Sequence, residues 1–256
     1  SRRVARNTQS LLSSESNVAR VADPAGGSAY VETLTDELAR AAWAWFGELD
    51  AAGGAAAGLA SGAVTERLAA TRAERDAALA TRALPLTGTS TFPLAGETLL
   101  ERTARAELPG EGLPRRRDGE VFEALRERTA AGDVSVTVLA LGPAREHTAR
   151  LTFVSNLLGV AGIRPDVVEV TSADDVPATA GPVAVIASSK RGYADLAEAS
   201  VSSLRAAGAQ RVLVAGSAKE VGDTAVDGEI RDGMDVVAFL EHLLDTLGAP
   251  QAGAQA

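Results

Sequence analysis

Val134-Ser-Val-Thr-Val-Leu-Ala-Leu141, followed by Gly142-Pro-Ala-Arg-Glu-His-Thr-Ala-Arg150, is the stretch on which the fold turns. The first part is apolar and β-branched and reads as a strand. Gly142-Pro143 punctuates it, and a helical pattern over 146–161 follows. The same alternation recurs downstream. Strands are predicted at 166–171, 182–188 and 211–216, with a short one near 225–230, and helices at 193–207 and 234–247. Upstream, a helix over 118–131 leads into the first strand. Strands alternating with helices predict an α/β fold with a doubly wound parallel sheet. The runs 183–187 and 212–215 suit central strands covered on both faces. The last helix carries the stripe Val236, Val237, Leu240, Leu243, Leu244 and Leu247, while 172–181 is too short for a full helix.

Before residue 118 the pattern differs. Residues 1–12 read as the end of a helix, and Asp23-Pro-Ala-Gly-Gly-Ser28 supplies turn chemistry, with Ser28 as the N-cap of a long helix. That helix has Val31, Leu34, Leu38, Ala41, Trp45 and Leu49 at three- to four-residue spacing, and Gly53-Gly54 stops it. Trp45 fits the stripe; Trp43, two residues away, faces elsewhere. A charged helix spans 63–82, then a short extended piece covers 84–92, and Pro and Gly recur from Pro85 to Gly119. These changes divide the chain into 1–52, a helical and extended linker 53–117, an α/β domain 118–248 and a disordered tail 249–256.

Composition narrows the function. The 256 residues carry a net charge of −9, with 46% hydrophobic and 23% charged residues, an ordinary globular make-up able to bury a core. The acidic balance argues against nucleic acid, which needs a concentrated basic face. Arg115-Arg-Arg117, the one dense basic run, lies between Pro and Gly and reads as linker decoration. The absence of cysteine excludes disulfides, thiolate zinc sites and a cysteine nucleophile, and suits a reducing cytoplasm. No run reaches the ~18 apolar residues of a membrane span. The first residues are basic but lack the apolar stretch of a signal peptide, and a start without Met is expected of a fragment. Phosphate-loop, dinucleotide-binding and nucleophile-elbow motifs are missing. Two histidines remain: His242 on the last helix, without a ligand partner at useful spacing, and His147, which read from its neighbours alone is a surface loop residue.

Several long, irregular segments resemble the methylmalonyl-CoA mutases. They are Arg3-Val-Ala-Arg-Asn-Thr-Gln9, Asp23-Pro-Ala-Gly-Gly-Ser-Ala-Tyr-Val-Glu32 and Gly53-Gly54, then Gly216-Ser-Ala-Lys-Glu220 and Gly233-Met-Asp-Val-Val237. The resemblance implies that 1–52 ends a (β/α)₈ barrel and that 118–248 is flavodoxin-like, of the cobalamin-binding type and closest in pattern to the small subunit. In binding members of the family a histidine after the first strand ligates cobalt, and an Asp two residues earlier orients it. Ser-x-Leu after the third strand and Gly-Gly after the fourth line a slot for the nucleotide tail. The resemblance therefore marks His147 as the cobalt-ligand position, with Ser188 and Gly216 on the cofactor side.

The surrounding motif has decayed. Arg145 stands in the Asp place, and guanidinium is donor-only. Arg150 stands where Gly would let the cofactor approach. Ser188-Ser189-Lys190 ends on a charge, and Gly216-Ser217 keeps one glycine of two. The expectation is a subunit with no catalytic residues of its own that does not bind adenosylcobalamin. It would stabilise a large subunit holding both cofactor and acyl-CoA, in a heterodimer interconverting methylmalonyl-CoA and succinyl-CoA. One alternative is a cobalamin-binding mutase fragment using His147. Another is an independent flavodoxin-like module with an anionic ligand near Arg145, Arg150, Lys190 and Arg191. Isobutyryl- and ethylmalonyl-type mutases share the scaffold, so the acyl-CoA is left open.

Overall fold

The computed structural model describes residues 2–18, 20–94, 97, 113, 116–130 and 132–251. The chain divides into two compact units, Ser1–Ala69 and Ala70–Ala256. The sequence places divisions after 52, 117 and 248. Residues 95, 96, 98–112, 114 and 115 of the expected linker 53–117, and residues 252–256 of the expected tail, lie outside the described residues.

In the first unit every regular element is a helix. α1 spans Arg2–Ser14, α2 Ala29–Ala51 and α3 Ala55–Ala60, and α4, Ala63–Ala80, begins here. Ser28 caps α2 as its residue type predicts, accepting from the Val31 amide. Gly53 and Gly54, at φ 99° and 90°, end it in a conformation that favours glycine. The short α3 was not foreseen. It packs closely on α2: a Cβ on Gly58 would lie 2.8 Å from the Leu49 side chain. Trp45 is half-buried beneath the Arg67 guanidinium, 3.7 Å from its ring centroid. Trp43 stacks on Phe46 and is 73% exposed. Val31, Leu34 and Leu38 are also exposed, so the stripe is apolar but largely uncovered within this unit.

The second unit holds α5 (Glu120–Thr129), β1 (Ser135–Leu141), α6 (Ala144–Val160), β2 (Arg164–Val170), β3 (Val183–Ala187), α7 (Lys190–Ala206), β4 (Arg211–Ala215), β5 (Gly228–Ile230) and α8 (Val236–Thr246). The sheet is wholly parallel, in the order β2-β1-β3-β4-β5, as expected for a flavodoxin-like fold. Successive strand residues face opposite sides. Val136, Val138, Val183, Val185, Leu213 and Ala215 meet Phe122 and Leu125 of α5, Leu157 and Leu158 of α6, and Leu240 and Leu244 of α8. Leu139, Leu141, Ala184, Ile186, Val212 and Val214 meet Tyr193, Ala197, Val201 and Leu204 of α7. Each fully buried Leu or Ile in these two layers contributes about 2 kcal/mol relative to exposure. Both edges are modest. β5 has three residues, and β2 begins Arg164-Pro165-Asp166, with Arg164 paired to Asp133 and Asp166.

Two helices start earlier than expected, while α5 and α8 each start two residues later. α6 begins at Ala144, directly behind Pro143, whose fixed φ suits a helix entry. α7 begins at Lys190 because the Ser189 hydroxyl accepts from the Gly192 amide and caps it. The segment 172–181 forms only a single 3₁₀ turn, Ala173–Asp175.

Candidate functional site

The sheet order reverses between β1 and β3, and ligands of doubly wound folds bind at the carboxyl ends of strands near such a point. There Gly142, at φ 80°, donates its amide to the Val170 carbonyl and turns the chain into α6. His147 therefore lies in the first turn of α6. It is 4% exposed, not the surface loop residue that its neighbours suggested, and its Nδ1 has no hydrogen-bond partner. Arg145 is exposed and lies 3.5 Å from Glu146. The Glu146 carboxylate accepts from the Ser189 hydroxyl, which holds it below the usual glutamate range.

Ser188 and Gly216 sit at the matching ends of β3 and β4. Ser188 is fully buried, and its hydroxyl donates to the Leu141 carbonyl at 2.8 Å, pinning the end of β3 to that of β1. The approach of α7 requires glycine at 192, where a Cβ would lie 2.1 Å from that hydroxyl. Gly216 has φ 124°, a conformation for glycine alone, and a Cβ there would lie 2.6 Å from Nη1 of Arg150.

Arg150 occupies the space that Gly216 leaves. Its Nη1 donates to the Ala215 carbonyl at 2.9 Å and its Nη2 to the Glu220 carboxylate, while its guanidinium lies 5.3 Å from the Tyr193 ring centroid. The Tyr193 hydroxyl donates to the Ala215 carbonyl at 2.7 Å and lies 3.2 Å from that of Ile186. Glu220 also accepts from the Ser217 amide, closing the capping box of a 3₁₀ turn over Ala218–Val221. Tyr193 went unremarked in the sequence, and the role of Glu220 was not foreseen. Their one signal was an arginine on α6 beside the apolar residues Leu151 and Val154, where a buried counter-charge is needed.

The four cations offered as an anion site do not converge. Arg150 is engaged with Glu220. Arg145 and Arg191 line a depression of about 260 Å³ together with Glu146 and Asp195. Lys190, Arg191 and Lys219 line another of about 880 Å³ with Glu198, Glu220 and Asp223. Carboxylates offset the cations in both. Among the described residues no group of three or more His, Asp or Glu side chains could hold a metal ion. His242 is exposed and contacts Arg211, a structural placement.

The sequence model described as methylmalonyl-CoA mutase matches residues 1–149, more than half of the chain. The chain belongs to the methylmalonyl-CoA mutase family. It is 47% identical over 96% of its length to the methylmalonyl-CoA mutase small subunit of Streptomyces virginiae. It is 40% identical over 96% to the small subunit of Propionibacterium freudenreichii subsp. shermanii. In each case the match covers 41% of the relative, so the chain spans well under half the length of these proteins. The methylmalonyl-CoA mutase large subunit of Streptomyces virginiae matches less: 34% identity over 52% of the chain and 19% of that protein.

Cobalamin is the group this mutase fold implies, and the residues present do not fit it. His147, which the family resemblance marks as the ligand position, is buried, with Arg145 where that resemblance expects an orienting carboxylate. Ser188 is committed to the Leu141 carbonyl, and the space at Gly216 is filled by Arg150.

Proposed function

We propose that this chain is the carboxyl-terminal part of a mutase small subunit, non-catalytic in itself, that stabilises a large subunit. The complex would interconvert methylmalonyl-CoA and succinyl-CoA in the cytoplasm by a radical rearrangement using adenosylcobalamin, with the large subunit holding cofactor and acyl-CoA. Residues 1–52 would complete a barrel, and 118–248 would be a flavodoxin-like domain without its cofactor. The names of the relatives support the subunit assignment, and the relative called a large subunit supports the partnership. No helix among the described residues is long and apolar enough to cross a membrane, and the net charge is −9, so neither a membrane span nor a nucleic-acid partner enters this reading.

The observation that carries the non-catalytic part is Arg150. A binding site would need that volume open, and here a guanidinium fills it, hydrogen-bonded to Ala215 and Glu220. The test is a cobalamin titration of the chain, read from the visible absorption of the corrin, beside co-purification with a large subunit. No spectral change together with stable association supports the reading. Tight corrin binding lost on His147→Ala overturns it, and so does failure to associate.

A further inference from the structure

We infer that the space beside Gly216 is a planar-cation site that the protein fills in cis with the guanidinium of Arg150. Three segments build its walls: Tyr193 of α7 presents its ring face, Ala215 at the end of β4 its carbonyl, and Glu220 in the following 3₁₀ turn its carboxylate. A fourth, α6, delivers the cation. An aromatic face, a carbonyl and a carboxylate arranged about a flat cation are the complement of guanidinium, with its fixed fork of donors.

Gly216 supplies the remaining condition. Any Cβ there would meet the guanidinium at 2.6–3.0 Å, so only glycine leaves it room. Both charges lie in partial burial, with side-chain exposures of 29% and 26% for Arg150 and Glu220. Burial is the largest single influence and works against both charges, but their mutual hydrogen bond, the contacts with Tyr193 and the Ser217 amide, and their charge attraction together exceed it: the arginine is held above its ordinary range and the glutamate below. The pair joins α6, α7 and the segment after β4 without any bound cofactor. It stands apart from the subunit reading, because it holds whether or not a large subunit is the partner.

The test is chemical rescue in the full chain. Arg150→Ala is expected to lower the thermal midpoint by on the order of 5 °C. Methylguanidinium chloride at millimolar concentration, against sodium chloride of equal ionic strength, should restore much of that loss and saturate. It should do nothing for the parent chain, nor for the double variant Arg150→Ala, Glu220→Gln. An unchanged midpoint in Arg150→Ala overturns the inference, as does an equal effect of the salt on all three proteins. Should Arg150→Ala fail to fold, Arg150→Lys retains the charge without the flat fork. Faster amide exchange at 215–221 in that variant supports the inference, and parent-like exchange overturns it.

Discussion

The guanidinium of Arg128, only 5% exposed, donates to the Asp245 carboxylate at 2.6 Å and to the carbonyls of Ala249 and Pro250 at 3.2 and 2.8 Å. One side chain thus ties the end of α5 to the chain leaving α8. The expected tail is anchored in its first residues, since the carbonyls at 249 and 250 have a fixed donor.

Arg128→Ala removes that donor and leaves three acceptors without it. We expect a loss of about 2 kcal/mol in unfolding free energy, measured by urea denaturation of the parent and variant chains. Arg128→Lys should recover a minor part, because an ammonium cannot reach all three acceptors from one plane.

Acid should weaken the same fold in a defined window. The hydrogen bond from Arg128 holds Asp245 below the usual aspartate range. Glu220 is likewise held low: burial, the largest influence, pushes it up, but the hydrogen bonds from Arg150 and the Ser217 amide and the nearby positive charges together prevail. Carboxyls depressed in the folded state stabilise it fully above their unfolded pKa, and that stability is lost as pH falls through the folded value. These pairs should therefore leave stability flat between about pH 6 and 8, with loss setting in below about pH 4. Asp245→Asn and Glu220→Gln should each flatten the acid limb of stability plotted against pH.

Gly216→Ala should be costly for two reasons at one position. The φ of 124° is strained for any L side chain, and the new methyl would collide with the Arg150 guanidinium. A loss of about 2 kcal/mol in urea, with faster amide exchange through 215–221, is the expected result.

His147→Leu should leave stability unchanged or raise it by up to ~1 kcal/mol, read from the same urea curves. The buried Nδ1 of His147 has no partner, and an apolar side chain of similar size removes the cost of desolvating it.

The sheet was legible because its strands are written as runs of Val, Ile, Leu and Ala such as 183–187, whose length and composition fit only a strand covered on both faces. Helix starts were less so. The entry of α7 rests on the hydroxyl of Ser189, a local signal that yielded to the later apolar period. The α2 stripe was read correctly as apolar, but periodicity names a face and not what covers it; Leu34 and Leu38 remain exposed in their unit. At the site, the substitutions Arg145 and Arg150 could be seen as losses. That Arg150 gains Glu220 and the Tyr193 ring could not, because those partners lie far along the chain and meet only once β3 and β4 are adjacent.

The two outer strands of the sheet carry a consequence for assembly. β5 offers only three residues of backbone, and β2 opens on a proline beside an arginine bracketed by two aspartates. A three-residue edge and a proline- and charge-blunted start on the other margin both discourage the edge-to-edge growth that leads to fibres. A partner of this unit would then find its specificity chiefly in side chains on the helices and loops rather than in shared main-chain ladders.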